Sequence, residues 1–233
     1  MRLGSSAGLT GAAGVIRAGS MRMLAGIAVA GFIACMPAVA GAHPKRFTSQ
    51  LALVDATAEF IGGELSSPSA RCISDRTIRL EEPGATAPVT TVQSDDEGRF
   101  QIAAADVPPA ATRLLVTAVR PQVGRQRVCR ADAAELTIDR GALSGGVTAT
   151  AFGGRLSSSA AACVPGRRIE LYEISSEPVF VGWNLTDPVG DWVIAAAGGT
   201  YEARALPAIS GGPDVFIYCR PLLSPPWVFE EPI

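Results

Sequence analysis

The sequence predicts an all-β protein, two tandem seven-stranded antiparallel β-sandwich domains following a signal peptide. Three observations carry this. Residues 61–82 align with residues 152–173 without a gap, at a constant offset of 91. Within each copy apolar side chains alternate with a period of two, as half-buried strands require. Strand-sized runs recur every 8 to 15 residues between clusters of Gly, Pro, Ser and Asp, and no stretch shows a sustained helical stripe.

The first element is the N-terminal segment. Leu24 to Ala40 reads LAGIAVAGFIACMPAVA, an uncharged run preceded by Arg22 and followed by Lys45 and Arg46. A signal peptide fits it: the apolar region ends near Met36, Pro37 breaks the helix, and Ala38-Val39-Ala40 supplies the small residues a signal peptidase accepts. Cleavage is expected after Ala40 or, as second choice, after Ala42, so residues 1–42 form the signal and the mature chain begins at Gly41 or His43. Residues 1–20 make a long leading region, which leaves Met21 and Met23 as alternative starts. Two other fates stand beside cleavage. The run approaches the minimum membrane-spanning length, which an uncleaved anchor would use, and Phe32-Ile33-Ala34-Cys35 is similar to a lipobox, which would lipidate Cys35. Export places the protein in a secreted or periplasmic, cell-envelope setting, with no membrane span in the mature chain. Without residues 1–42 the chain carries 17 basic and 22 acidic residues, net −5, and Lys45 is its only lysine. That balance excludes a nucleic-acid binder driven by phosphate neutralisation.

The duplication defines the next elements. Gly62, Gly63, Leu65, Ser66, Ser67, Cys72, Arg76, Ile78, Leu80 and Glu82 recur as Gly153, Gly154, Leu156, Ser157, Ser158, Cys163, Arg167, Ile169, Leu171 and Glu173. With a one-residue shift, Ser94-Asp95, Gly98 and Phe100 match Thr186-Asp187, Gly190 and Trp192, and Cys129-Arg130 matches Cys219-Arg220. The domains are read as residues 55–141 and 146–233, joined by Gly141-Ala142-Leu143-Ser144-Gly145-Gly146. In each, Ile78 and Leu80, or Ile169 and Leu171, alternate with polar neighbours in a strand. Phe100 and Ile102, like Trp192 and Ile194, open another after a Gly turn. Leu114 to Val119, Glu135 to Ile138, Thr200 to Ala205 and Val215 to Cys219 complete the pattern. Ala103-Ala104-Ala105 and Ala195-Ala196-Ala197 have room for one helical turn each before Pro108-Pro109 and Gly198-Gly199 stop them.

The order Gly-x-Leu-Ser-Ser, Cys, Arg-x-Ile-x-Leu, Thr/Ser-Asp-x-x-Gly-x-aromatic and a late Cys resembles the carboxypeptidase regulatory-like, transthyretin-like β-sandwich modules of secreted bacterial proteins. The resemblance covers both copies. It implies a small prealbumin-like sandwich that serves as an accessory, surface or interaction module and not as a catalyst. The first copy has Asp96-Glu97 before Gly98 where the second has Pro188-Val189.

Chemistry-bearing residues are few. Gly4-Ser5-Ser6-Ala7-Gly8 matches a nucleophile elbow but lies in the leading segment with no strand before it. Ser66, Ser67, Ser157, Ser158 and Ser159 sit in repeat turns with no base, because the sole histidine, His43, lies beside the processing site. With no C-x-x-C pair either, no metal site is expected, no cofactor, and no catalytic residue. Asp95-Asp96-Glu97 has two readings, a calcium ligand set or an Asx turn with Gly98 in a left-handed conformation, the second preferred. Glu81-Glu82 and Glu230-Glu231 read as solvated strand ends. Asn184-Leu185-Thr186 is a formal glycosylation sequon, unused in a bacterial chain.

The cysteines are more informative. Without Cys35, four remain in an oxidising compartment, one before each Arg-x-Ile-x-Leu strand and one late in each copy, 57 and 56 residues apart. Duplication of a unit that once folded alone pairs Cys72 with Cys129 and Cys163 with Cys219. Aromatic residues concentrate in the second copy. By alternation Tyr172 and Phe180 point away from the core that receives Ile169, Leu171, Val179 and Val181. They form a cross-strand pair or a patch buried between domains, or else a recognition face for an extracellular protein or glycan. Function therefore reads as a non-catalytic extracytoplasmic binding or interaction module, compatible with a monomer. A structural envelope or matrix component is the alternative, and an enzyme is the least favoured.

Overall fold

The computed structural model describes residues 45–119, 122–123, 127–148 and 150–229. The expected signal peptide, residues 1–42 with Cys35, lies outside them, as do His43 and Glu230-Glu231. The described residues form one compact unit. A short leading strand, β1 (Lys45–Phe47), precedes the first copy. Its strands are β2 (Gln50–Ala56), β3 (Phe60–Ser66), β4 (Thr77–Glu81), β5 (Thr90–Gln93), β6 (Arg99–Ala103), β7 (Arg113–Ala118), the hairpin β8 (Gln122–Val123) and β9 (Arg127–Cys129), and β10 (Asp132–Asp139). The second copy has β11 (Ala142–Thr148), β12 (Ala151–Ser157), β13 (Arg168–Glu173), β14 (Val179–Leu185), β15 (Asp191–Ala195), β16 (Gly199–Ala205), the hairpin β17 (Ala208–Gly211) and β18 (Val215–Cys219), then β19 (Leu222–Leu223) and β20 (Trp227–Phe229). Among the described residues no helix is long and apolar enough to cross a membrane.

The protein is all-β, and each copy builds two facing layers. In the first, β2-β3-β6 packs on β5-β4-β7-β10, with Leu51, Ile61, Phe100 and Ile102 meeting Ile78, Leu80, Leu114, Val116 and Leu136. In the second, β11-β12-β15 packs on β14-β13-β16, whose last neighbour is split into β19 and β20 by Ser224-Pro225-Pro226. Prolines cannot donate to a ladder, so the seventh strand of this copy breaks there. The Ala-rich segments differ: 104–106 makes a 3-10 turn, whereas the chain enters β16 directly after Gly198.

The copies are sandwiches, as the sequence reading expected, but they are joined through one sheet where that reading expected two separate domains. Segment 141–146 is largely the first strand of the second copy, not a joint, and β2 starts at Gln50, ahead of residue 55. Strand β18 leaves its own copy and pairs in parallel with β10, from Glu135 opposite Val215 to Asp139 opposite Cys219. One six-stranded sheet, β17-β18-β10-β7-β4-β5, therefore contains both copies. The physical reason lies in aromatic bulk. The second core holds Phe152, Trp192 and Tyr201 of its own. The first has only Phe100 from its own strands, and Phe216 and Tyr218, on one face of β18 by alternation, fill it from the neighbouring copy.

The recurring motif residues explain the turns. Ser94 Oγ and Thr186 Oγ1 accept the N–H of Arg76 and Arg167, each at 2.8 Å. Asp95 Oδ1 accepts the N–H groups of Glu97 and Arg99, and Asp187 Oδ1 those of Val189 and Asp191. Gly98 and Gly190 follow at φ 88° and 93°. A Cβ there would meet the carbonyl oxygen of Leu65 or Leu156 at 2.5 or 2.1 Å, so only glycine fits. Asp95 thus takes the Asx-turn reading. Cys72 bonds Cys129 and Cys163 bonds Cys219, with Cα atoms 5.5 Å apart in both.

Candidate functional site

The outer face of the second copy's sheet carries the one concentration of exposed aromatic side chains among the described residues. On β13, Ile169 and Leu171 go inward and are fully buried, which turns Arg168, Glu170 and Tyr172 outward. Their cross-strand partners on β14 are Leu185, Trp183 and Phe180, and on β16 Arg204 and Glu202 stand opposite Glu170 and Tyr172. Trp183 is 52% and Phe180 49% exposed. Leu223 and Val228 extend the same face across β19 and β20.

Polar contacts fix these side chains in place. The Arg168 guanidinium carbon lies 4.8 Å from the centre of the Trp183 ring, and that of Arg204 lies 4.3 Å from Tyr172. Arg168 pairs with Glu170 at 2.8 Å and Arg204 with Glu202 at 2.8 Å. The Tyr172 hydroxyl donates to Glu170 Oε2 at 2.8 Å. That hydrogen bond to a carboxylate, followed by burial, raises the Tyr172 pKa above the ordinary phenol value, so the ring stays a neutral donor. Two cations balance two anions, and the face is apolar in area yet neutral in charge.

Tyr172 and Phe180, the two sequence-derived candidates, meet here edge to face, with ring centres 5.6 Å apart. The pair is on the surface, not buried between copies. Val179 and Val181, expected in the core, are 52% and 38% exposed instead. For Val181 a bulge is the cause, since the register slips between Leu171 and Tyr172 so that Gly182 faces Leu171 while Phe180 faces Tyr172; Val179 precedes the bulge, at the first position of β14. The same slip turns Trp183 outward, where simple alternation from Phe180 would put it in the core. Arg168, Arg204 and Trp183 were therefore missed. The signal available was that Arg168 and Glu170 alternate with Ile169 and Leu171.

Other candidates resolve into structure. Ser158 and Ser159 donate to the two oxygens of the buried Asp139 carboxylate at 2.6 and 3.1 Å, stitching the second copy's first turn to β10. Asn184 Nδ2 donates to the Val193 carbonyl at 2.8 Å, tying β14 to β15. Glu81 lies beside Arg79 and Thr117 at the end of β4. No group of three or more potential metal ligands occurs among the described residues. Cys72, Cys129, Cys163 and Cys219 are all committed to disulfides.

No family model matches the chain, and no curated protein matches it. Solved structures give distant likenesses. The human OSCAR ligand-binding domain is 16% identical, with 78% of this chain and 98% of that one covered and a TM-score of 0.29. A tetra-tandem repeat from the extending region of a large adhesion protein is 15% identical over 80% of this chain, which spans half of that one, at 0.29. A segment of two fibronectin type III domains from chicken tenascin is 13% identical over 76% and 97%, also at 0.29. The β-sandwich assignment itself rests on the strands, register and cores described above.

Proposed function

We propose that the chain is a non-catalytic, extracytoplasmic binding module whose recognition surface is the outer face of β13, β14 and β16. The exposed Trp183, with Phe180, Tyr172 and the two ring-stacked arginines, carries this reading. Trp, Tyr and Arg dominate the energetic centres of protein interfaces, because they bring large area and directional donors at low entropy cost. The first copy supplies the contrast. There the corresponding outward positions of β5 hold Thr91 and Gln93 where β14 has Trp183 and Leu185, so the fold does not require aromatic residues at these sites.

The ligand class proposed is a protein and not a glycan. Sugar binding on aromatic platforms uses open ring faces, whereas guanidinium groups already cover one face of Trp183 and one of Tyr172. Two disulfides per chain suit an oxidising compartment and support export. The transthyretin-like resemblance of the repeat motif agrees with an accessory role. Capture from envelope and culture medium tests the proposal. The partner that copurifies with the wild-type chain should be lost on Trp183→Ala with Phe180→Ala and retained on Thr91→Ala. Retention by both variants, or a glycan bound in the partner's place, overturns it.

A further inference from the structure

Strand β18 builds a cleft that neither copy has alone. Tyr218, Arg220 and Pro221 of the second copy line it together with Ala58 from the β2–β3 turn and Ala104 and Ala105 from the 3-10 turn after β6. It holds about 300 Å³, at the small end of ligand sites. The Ala104 N–H donates to the Glu59 carbonyl at 2.8 Å, which ties the two first-copy turns into one wall. The opposite wall hangs on the ladder between β10 and β18, with Ile138 opposite Tyr218.

Two polar groups in this cleft lack partners. Arg76 and Arg167 each spread their guanidinium donors over four backbone carbonyls, whereas Arg220 makes one hydrogen bond, from Nη2 to the Pro108 carbonyl at 2.6 Å. Its Nε is buried without a partner, and its Nη1, also without one among the described residues, is not buried. Tyr218 is only 2% exposed, yet its hydroxyl has no partner among the described residues and reaches open space. Burial raises the Tyr218 pKa above the ordinary phenol value, against the pull of the Arg220 and Arg167 cations, so the hydroxyl stays a protonated donor. A guanidinium with a single hydrogen bond beside an idle hydroxyl leaves desolvation uncompensated. The repeat does not require this, since Arg130, the counterpart of Arg220 in the first copy, is exposed.

The lining defines the missing partner. It offers one cation, one neutral donor and no carboxylate, which suits a monoanion better than a phosphate dianion. A planar guanidinium matches the planar carboxylate in particular, and the methyl groups of Ala58, Ala104 and Ala105 with the Pro221 ring suit a short apolar substituent. We propose that this cleft binds a carboxylate bearing such a substituent, with Arg220 Nη1 and the Tyr218 hydroxyl as its donors. A free short-chain acid and a peptide's terminal carboxylate share that chemistry. Because β18 and the residues after it bring both donors and the first copy brings the alanine wall, the bound anion also holds the copies together and stabilises the folded chain.

Titration of the ¹⁵N-labelled chain with sodium propionate, against sodium chloride at equal ionic strength, tests this. The amide signals of Ala104 and Ala105 and the Arg220 Nε–H signal should shift and saturate, the thermal midpoint should rise, and propionamide should do neither. Arg220→Gln should abolish the saturable shift, and Tyr218→Phe, which keeps the ring in the core, should weaken binding by about tenfold; circular dichroism monitors the fold of both. N-acetyl-dialanine serves as the second probe. Saturation by it at lower concentration than by propionate identifies a peptide terminus as the source, and the reverse order a free acid. Shifts that grow without saturating for both carboxylates, equal shifts with propionamide, binding unchanged by Arg220→Gln, or inorganic phosphate saturating the same signals ahead of both carboxylates would overturn the proposal. None of these variants alters Trp183 or Phe180, so this outcome and the one for the aromatic face are read separately.

Discussion

Arg76 is completely buried, and its guanidinium donates to the carbonyls of Val119, Cys72, Ala118 and Arg130 and to Ser49 Oγ at 2.8 to 3.3 Å. Arg167 repeats the arrangement with the carbonyls of Leu206, Cys163, Cys219 and Arg220. Each arginine binds together the turn before its strand, the segment after the sixth strand and the chain at the late cysteine. Burial pushes the Arg167 pKa down to about 10, which leaves it charged at neutral pH, its desolvation offset by the carbonyls. Replacement by an apolar side chain orphans several buried acceptors at once. Arg76→Met and Arg167→Met should each lower unfolding free energy by roughly 3 kcal/mol or more in urea titrations. A loss under about 1 kcal/mol would contradict this role. Asp95 gives a pH test at the same scale. The backbone N–H of Arg99, then the Arg99 side chain, hold its carboxyl below the usual range. A carboxylate depressed on folding adds stability above its unfolded value and loses it as pH falls through the folded one. The difference in thermal midpoint between wild type and Asp95→Ala should be constant from neutral pH to about 4 and narrow below it. A difference independent of pH would count against it.

At the scale of elements, β18 decides the most. Phe216 and Tyr218 are 5% and 2% exposed within the first copy's core although they belong to the second copy's sequence. Phe216→Ala or Tyr218→Ala should cost about 3 to 5 kcal/mol, and the loss should appear as faster amide exchange in β7 and β10 of the first copy. Exchange faster only in β13 and β16 would be inconsistent with the shared sheet. This element also marks how far sequence can be read. The strands around Ile78, Leu80, Ile169 and Leu171 were legible because burial of one face imposes a period of two. The turn at Gly98 and Gly190 was legible because a positive φ demands glycine. Val215 to Cys219 was legible as a strand, but its partner was not: alternation says which face is apolar, and both cores offered an apolar face. The outward Trp183 was hidden for a related reason, since a single bulged residue inverts every later side chain on β14. Tyr172 and Phe180 escaped that ambiguity because the bulge lies beyond their pairing.

For the whole molecule, the shared sheet makes the two disulfides unequal despite their matching positions. Cys129 ends a hairpin that rests on the three-residue β1, whereas Cys219 ends the strand that completes the first copy's sheet and core. In the chain-entropy model either bond, closing a loop of more than fifty residues, contributes roughly 4 kcal/mol. Their local consequences differ. Removing the first bond, as Cys72→Ala with Cys129→Ala, frees β8 and β9 and leaves β18 seated on β10. Removing the second, as Cys163→Ala with Cys219→Ala, frees β18 from its own copy's turn, and Phe216 and Tyr218 can then leave the first core. Native-state hydrogen exchange should therefore show the second variant losing protection in both copies, in β7 and β10 as well as β13 and β16, while the first variant loses it chiefly in β8, β9 and β1. Calorimetry of the wild type should give one transition with matching calorimetric and van't Hoff enthalpies, because the first core is incomplete without Phe216 and Tyr218, which belong to the second copy's sequence. Two resolved transitions, or a second variant whose first copy stays fully protected, would show instead that each copy folds on its own and that the β10·β18 ladder contributes little to holding them together.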